Sequence, residues 1–262
     1  MKLVEGKTAL VFGVANDRSI AWGIAKALHE HGAQIAFSYA AESLERRVKP
    51  LAAALGSTFV EKCDVSKGDE IARLFSLAEE RLGRIDTLVH AIAYAPAEDM
   101  KGEFVQTSRS GFATTMDVSV YSLVALTRAA LPVMNEGGSV VTLTYYGGEK
   151  VAAGYRVMGV AKAALEAATR YLAAELGPRG VRVNAISSGP IRTLAAAGVP
   201  GFRASYAELA RSAPMRRPIE SADVGNAAVW LASEMARNVT GQVVFVDGGH
   251  SILSPWMPAE AP

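Results

Sequence analysis

The sequence predicts an α/β fold in which a parallel sheet of seven strands is flanked by helices on both faces. Short apolar, β-branched segments alternate with longer segments of helical periodicity along the whole chain. The strand segments are apolar almost throughout, as expected for strands buried on both faces. At 262 residues, with 50% hydrophobic residues and no linker, the chain suits one domain spanning residues 1–262.

The strands and helices follow one another in a regular order. The predicted strands lie at residues 8–12, 34–39, 58–60, 87–92, 139–144, 181–186 and 243–246. The predicted helices lie at residues 21–31, 43–55, 67–82, 107–133, 159–176 and 221–233. Gly32, Gly56 and Gly83 each follow a helix where the next strand must begin, and Gly177 does the same for the fifth helix. This order indicates a doubly wound, Rossmann-type domain.

Composition argues against several classes of protein. The net charge of +1 offers no bulk attraction to nucleic acid or to an acidic membrane surface. A single cysteine, Cys63, excludes an intramolecular disulfide and is expected to be buried, and the four histidines suggest no metal site. The N-terminus lacks the apolar core of a signal peptide, and the apolar run 118–127 is too short to span a bilayer. We expect a cytoplasmic protein that binds neither nucleic acid nor membrane.

The first strand leads into a segment suited to a nucleotide. Gly13 leaves the strand, and a glycine there permits a tight turn into a helix whose N-terminal N–H groups face a pyrophosphate. The segment is not G-x-G-x-x-G, since Ser19 stands between Gly13 and Gly23. The Ser19 hydroxyl can replace one backbone contact to a phosphate. The alternative is an ordinary loop in which Ser19 only caps the helix.

Later strand ends add to this predicted cofactor edge. Asp64 and Val65 end the third strand, where a carboxylate can accept a hydrogen bond from adenine, and Ile92 ends the fourth. After the second strand, residues 38–42 offer neither an acid for a ribose hydroxyl nor an arginine for a 2′-phosphate. The choice between NAD and NADP therefore stays open at this point.

Tyr155 and Lys162 are the most informative pair in the sequence. Seven residues are two helical turns less about 20°, so both side chains can project from one face of a helix. We expect the ammonium to lower the pKa of the phenol from its usual ~10, and the pair to hold a carbonyl oxygen during reduction. Tyr146 and Lys150 form a competing pair, but two glycines between them make a poor helix.

These features together resemble a known superfamily. Gly13-x5-Ser19-Ile20, the segment 90–96, Tyr155-x6-Lys162 and the segments 181–196 and 246–251 are similar to those of short-chain dehydrogenases/reductases. More narrowly, the chain resembles the bacterial NADH-dependent enoyl-acyl-carrier-protein reductases over nearly its whole length. The common short-chain dehydrogenase has Tyr-x3-Lys and an upstream serine. Here the spacing is longer and Tyr145 stands upstream instead.

The resemblance implies a role for each site residue. Tyr155 would hydrogen-bond a thioester carbonyl, Lys162 would hold the nicotinamide ribose, and Tyr145 would line the substrate pocket, with Ala95 touching the acyl chain. The remaining residues implied to bind NADH/NAD are Gly13, Ser19, Ile20, Asp64, Val65, Ile92, Ile191, Thr193 and Ala195. Ala40 departs from the glutamine of many relatives, which puts that contact to the adenosine in doubt.

The implied reaction is reduction of the trans-2 C=C bond of enoyl-acyl-carrier-protein thioesters with NADH, the last step of the fatty-acid elongation cycle. The alternative is a 3-oxoacyl or other carbonyl reductase of the same superfamily. The resemblance also implies an acyl carrier protein as partner and a homotetramer. Apolar residues in the segment 193–211 suit a cover over an acyl chain, although a surface helix pair fits equally. The segment 255–262 is expected to be a loose tail.

Overall fold

A seven-stranded parallel sheet organises the chain. The computed structural model describes residues 2–197, 206–207 and 211–253. The strands are β1 (Thr8–Phe12), β2 (Gln34–Tyr39), β3 (Val60–Lys62), β4 (Ile85–His90), β5 (Met134–Thr144), β6 (Arg182–Ser188) and β7 (Val243–Val246). The helices are α1 (Ile20–Glu30), α2 (Glu42–Ala54), α3 (Gly68–Leu82), α4 (Arg109–Met116), α5 (Ser122–Ala130), α6 (Arg156–Leu176), α7 (Leu194–Ala197) and α8 (Ser221–Ala232).

The order of the strands confirms the predicted doubly wound fold. The sheet runs β3-β2-β1-β4-β5-β6-β7, with every neighbouring pair parallel. After β3 the chain crosses back over β1 to form β4, so the winding reverses between β1 and β4. In such sheets a ligand binds at this reversal, outside the carboxyl ends of the strands.

Each face of the sheet is covered by its own hydrophobic core. Successive strand residues point to opposite faces, so Leu10 belongs to one core and Val11 to the other, both fully buried. The core containing Val11 is covered by α1, α2 and α8. The core containing Leu10 is covered by α3, α5 and α6. Burial on both faces explains why the strands are apolar almost without interruption.

Several predicted boundaries were wrong by a few residues. β3 is shifted to Val60–Lys62, so Asp64 and Val65 follow the strand instead of ending it. β4 ends at His90, where its pairing with β1 and β5 stops, which places Ile92 in the following loop. β5 begins five residues before the predicted strand, at Met134. Strand ends depend on pairing with a neighbour, which local composition does not record.

The predicted helix 107–133 is interrupted. A π-helical turn, Asp117–Tyr121, separates α4 from α5. By length and composition alone the helical run Arg109–Val133 is able to cross a membrane, but 50% of its apolar stretch is buried inside the protein. Leu123 and Leu126 are fully buried against the sheet. The run therefore has the packing of a core helix.

Two further predictions fall largely outside the described residues. Of the segment 193–211, the structure describes residues 193–197, 206–207 and 211, and the segment 255–262 lies wholly outside them. The Arg192 guanidinium lies 4.3 Å from the centroid of the Tyr206 ring. The cover and the tail stay predictions.

Glycines bring α1 and α8 into backbone contact. A Cβ added to Gly225 of α8 would lie 2.7 Å from the carbonyl oxygen of Gly23 in α1 and 2.8 Å from the Ala27 Cβ. A Cβ on Gly23 would lie 2.6 Å from the carbonyl oxygen of Ser221. The helix that begins at the cofactor edge is thus seated directly on the backbone of α8.

We expect Gly225→Ala to destabilise the protein by about 1–3 kcal/mol, because neither backbone can move away from the added methyl group. The lowered midpoint would be measured by urea unfolding. Gly68→Ala is the matched control. Gly68 also lies in a helix, as the first residue of α3, but nothing lies within 4 Å of an added Cβ there. Equal midpoints for the two variants would contradict the close packing.

Candidate active site

Gly13 lies at the reversal of the sheet, immediately after β1. Its φ of 98° falls in the region that favours glycine. An added Cβ would collide with the carbonyl oxygen of Ala91, in the loop after β4. Only a glycine therefore lets these two loops run side by side, and they form the edge of the crevice.

The N-terminus of α1 faces this crevice with no side-chain cap. The Ser19 hydroxyl instead accepts hydrogen bonds from the backbone N–H groups of Ala15 (3.0 Å) and Asn16 (3.1 Å), so it shapes the preceding loop. Ser19 makes no side-chain capping bond, and the first turn of α1, beginning at Ile20, carries no acidic residue. The alternative that Ser19 caps the helix was wrong. The first-turn N–H groups and the close-packed Gly13 loop fit the pyrophosphate of a dinucleotide.

Asp64 lies two residues beyond β3, at the outer side of the sheet. Its carboxylate accepts hydrogen bonds from the Ser66 hydroxyl (2.7 Å) and the Ser66 N–H (3.1 Å). Burial works against ionisation, but these bonds and the charge of Lys67 outweigh it, so the pKa of Asp64 lies below its usual value. Val65 and Ile92 are half-buried at the margin of the α3/α5 core. All three stay predicted cofactor contacts.

The segment after β6 supplies the other side of the crevice. Ile191 is buried, and the Thr193 hydroxyl accepts a hydrogen bond from the N–H of Ala196 at 3.0 Å. This bond caps α7, the short helix that contains Ala195. The contacts of Ile191, Thr193 and Ala195 with the dinucleotide stay predictions.

Tyr145 and Tyr155 are brought together at the end of β5. Their ring centroids are 4.8 Å apart and their planes meet at 73°, an edge-to-face contact. Tyr155 is not inside a helix, as its spacing from Lys162 suggested, but immediately precedes α6. A Cβ on Gly147 would lie 2.6 Å from Cδ1 of Tyr155 and 3.1 Å from Cδ1 of Tyr145. Gly147 therefore allows the two phenols to meet.

Lys162 is buried at the base of the crevice. It is 5% exposed, and its Nζ donates a 2.7 Å hydrogen bond to the carbonyl oxygen of Leu143 in β5. Burial lowers the pKa of Lys162 to about 8, although the Glu166 carboxylate works in the other direction. The ammonium still predominates at neutral pH.

The expected effect of Lys162 on the Tyr155 phenol was wrong. Burial, together with Tyr145, raises the pKa of Tyr155 above its ordinary value. Desolvation disfavours the phenolate, and the Lys162 ammonium does not reverse this. Tyr155 is therefore a neutral hydrogen-bond donor at physiological pH.

Glu166 is a buried carboxyl group that sequence reasoning missed. It is 6% exposed, and Thr144 donates a 2.6 Å hydrogen bond to it. Burial raises the pKa of Glu166 above its usual range. Glu166 lies four residues after Lys162 on α6, so the two side chains are neighbours on one face. The spacing of four residues between Lys162 and Glu166 could have indicated from the sequence that the two side chains lie close together.

His90 forms a buried network below Lys162. Nε2 lies 2.8 Å from the Ser122 hydroxyl and Nδ1 lies 2.8 Å from the Thr142 hydroxyl. Because Ser122 donates its proton to Val118 O, it accepts from Nε2–H. The Thr142 hydroxyl lies within hydrogen-bond distance of both Nδ1 and the His90 carbonyl oxygen (3.3 Å). Burial and the charge of Lys162 lower the pKa of His90 to about 3. His90 is therefore a neutral structural residue.

Ala95 and Tyr155 border the same small apolar cluster. Met100, Val157 and Met158 are buried together, and Ala95 and Tyr155 pack against them. This cluster is separate from the two cores that cover the sheet. An apolar surface beside a phenol donor fits a substrate with a hydrocarbon chain and a polar head.

The competing pair and the cysteine are as predicted. Tyr146 begins a short 3-10 turn and Lys150 is exposed beyond it, so no helix face holds the two together. Cys63 is buried, and burial raises the pKa of its thiol to about 12. Across residues 2–197, 206–207 and 211–253, no group of three His, Cys, Asp or Glu side chains is placed to hold a metal ion.

Comparison with known proteins shows the family to which the chain belongs. The family model described as "Enoyl-(Acyl carrier protein) reductase" matches residues 13–251. An enoyl-[acyl-carrier-protein] reductase [NADH], FabI, of Aquifex aeolicus is 52% identical, covering 97% of this chain and 94% of that protein. The Bacillus cereus FabI is 51% identical, covering 97% of this chain and all of that protein (100%).

Solved structures give the same result. A crystal structure of the Bacillus cereus enoyl-acyl carrier protein reductase with NADP+ and indole naphthyridinone matches with a TM-score of 0.95 at 50% identity, over 97% of this chain and 100% of that chain. The Anaplasma phagocytophilum reductase in complex with NAD matches with a TM-score of 0.92 at 45% identity, over 96% of each chain. The chain belongs to the enoyl-(acyl carrier protein) reductase family.

Proposed function

We propose that Tyr155, Lys162 and Tyr145 carry out the reaction of this family in the chain, the NADH-dependent reduction of the trans-2 C=C bond of an enoyl thioester on acyl carrier protein. The observation that carries the proposal is the edge contact between the two tyrosines at the end of β5, the strand whose Leu143 carbonyl oxygen accepts a hydrogen bond from the buried Lys162 ammonium. In fatty-acid synthesis this reaction closes each round of elongation. A carbonyl reductase of the same superfamily is not favoured, because Tyr145 stands where its serine is expected.

Tyr155 has the properties of an oxyanion donor. NADH, when bound, would supply a hydride to the carbon β to the carbonyl; electron density would then shift onto the thioester oxygen, and uptake of a proton at the α-carbon would complete the reduction. Because its pKa is raised, the Tyr155 hydroxyl keeps its proton and donates a hydrogen bond to that oxygen as charge develops. The Tyr145 ring supports the Tyr155 ring along one edge and so fixes the direction of the hydroxyl.

Lys162 adds the fixed positive charge of the site. Its Nζ uses one of its three protons for Leu143 O, which leaves two for the ribose hydroxyls of the nicotinamide. The Gly13 loop, Ser19, Ile20, Ile191, Thr193 and Ala195 would hold the pyrophosphate and nicotinamide side. Asp64, Val65 and Ile92 would hold the adenosine. Ala95 would contact the acyl chain.

The assembly and location are also proposals. We infer that the protein acts in the cytoplasm as a homotetramer. The tetramer is supported by exposed aromatic side chains on the outer faces of α4 and the π-turn, which are Phe112 and Tyr121. Such side chains are typical of surfaces covered by another subunit. A mass of four chains in light scattering is expected, and a monomer at micromolar concentration would contradict it.

The reaction type is tested by following NADH oxidation with crotonyl- and acetoacetyl-thioesters in parallel. We expect oxidation with the crotonyl substrate, whose C=C bond is conjugated with the carbonyl, and little with the acetoacetyl substrate. Oxidation with the acetoacetyl substrate alone would show a ketone reductase instead.

In the same assay, Tyr155→Phe is expected to lower kcat by about 10²–10³, the usual loss when an oxyanion donor is removed. The phenyl ring keeps the contact with Tyr145, so the folded structure should persist. Tyr171→Phe is the control, because Tyr171 is 74% exposed on α6. A kcat for Tyr155→Phe within threefold of the wild type would exclude Tyr155 as this donor.

We expect kcat/KM to fall as pH rises through about 8, because Lys162 is charged below that pH and neutral above it. Glu166→Gln should move this fall to lower pH by about one unit, since the carboxylate favours the ammonium. Gln keeps the volume and an acceptor for Thr144. The pH dependence of NADH affinity, measured by fluorescence, provides a second readout.

The exposed Glu175 on the same helix gives the matched control, because Glu175→Gln should leave the pH profile where it is. Of the other groups near Lys162, His90 is neutral and the phenols of Tyr145 and Tyr155 have raised pKa values, so none of them titrates near pH 8. An alkaline fall that does not move in Glu166→Gln would argue against this role of Glu166.

A further inference from the structure

Arg156 has a strained backbone immediately beside Tyr155. Its φ is 45°, in the left-handed region, although it is the first residue of α6. Glycine and asparagine adopt this conformation readily, and arginine does not. Such a conformation persists only where surrounding contacts enforce it, and it is frequent beside functional sites. The Arg156 side chain makes contacts of this kind.

The guanidinium of Arg156 forms hydrogen bonds with a loop that is distant in sequence. Nε donates to the carbonyl oxygen of Gly102 at 2.6 Å, and Nη1 donates to those of Met100 at 2.8 Å and Gly154 at 3.3 Å. Met100 and Gly102 precede Arg156 by more than 50 residues. In the part of the chain that the structure describes, the guanidinium forms no ion pair. Its planar array of donors is therefore committed to backbone carbonyls.

The other end of this loop is held by Ser119. Its hydroxyl, fully buried in the π-turn, accepts from the N–H of Tyr94 at 2.9 Å and donates to the carbonyl oxygen of Tyr94 at 2.9 Å. The segment 94–102, here called the acyl wall, is thus fixed at Tyr94 by Ser119 and at Met100 and Gly102 by Arg156.

The acyl wall faces the catalytic tyrosine between these two points. Ala95 and Met100 lie in the apolar cluster with Val157, Met158 and Tyr155. Val157 and Met158 directly follow Arg156 on α6. A shift at Arg156 would therefore move the wall and the start of α6 relative to each other, and with them the space beside the Tyr155 ring.

We propose that Arg156 is a positioning residue that sets the width of the acyl-chain site by fastening the acyl wall to the start of α6. The inference rests on the proposed function, because it takes the apolar cluster to receive the hydrocarbon chain. A long chain contacts the wall through more carbons than a four-carbon chain. Loss of the fastening should therefore weaken binding of long chains more than binding of short ones.

The test uses Arg156→Asn in the full-length protein. Asparagine tolerates the left-handed backbone but does not reach Met100 or Gly102, so the fold is kept while the bridge is removed. We expect the loss of kcat/KM with a dodecenoyl thioester to exceed that with a crotonyl thioester by about tenfold, the effect of one charge-assisted hydrogen bond. The difference should lie in KM. Arg156→Lys, which keeps the charge without the planar fork, should fall in between.

Hydrogen exchange measured by mass spectrometry gives a second readout that needs no substrate. In Arg156→Asn, amides in residues 94–106 should exchange faster than in the wild type, while those of β1 and β4 are unchanged. Arg179→Asn is the control, since Arg179 is exposed just beyond the other end of α6.

Unchanged exchange in residues 94–106, or equal losses of kcat/KM for the two chain lengths, would overturn the inference. Faster exchange in a protein whose wild type reduces no enoyl thioester would refute the proposed function and, with it, the assignment of the wall to an acyl chain.

Discussion

A buried ammonium group is the constraint around which the site is built. Removing the Lys162 charge from water is costly, and a single carbonyl of β5 with a carboxyl group one turn away offsets part of that cost. Contact with β5 requires α6 to approach closely. Gly148 allows this approach because it has no side chain: a Cβ added to Gly148 would lie 3.0 Å from the backbone nitrogen of Ala163 in α6. The adjoining Gly147 then admits Tyr155. The short turn that contains Gly147 and Gly148 thus allows both the burial of Lys162 and the placement of Tyr155.

Burial acts on the two polar side chains in opposite chemical senses. It weakens the hold of Lys162 on its proton and strengthens that of Tyr155, because in each case the neutral form is favoured. The Tyr155 phenol consequently acts as a neutral hydrogen-bond donor, and the Lys162 ammonium provides the positive charge. This division of roles suits a reaction in which negative charge develops on oxygen.

The fold was largely predictable from sequence, and the site less so. The bounds of β1 and β2 follow from composition because buried parallel strands are apolar almost from end to end, and β7, half-buried at the edge of the sheet, is apolar as well. The start of α6 was missed because Arg156 takes a conformation that contacts 54 residues away enforce. The pKa of Tyr155 was mispredicted for a related reason: burial is a property of the assembled structure, and the spacing of Tyr155 from Lys162 does not record it.

The π-turn at Asp117–Tyr121 also limits how this segment can change during evolution. One additional residue in a turn rotates everything before it by about 100° relative to a continuous α-helix. Ser119 meets Tyr94 only in the rotated register, while α5 keeps Leu123 and Leu126 against the sheet. Substitutions that preserve size are tolerable here, whereas loss of a single residue would turn α4 out of place. The geometry therefore constrains the length of this turn more strictly than its composition.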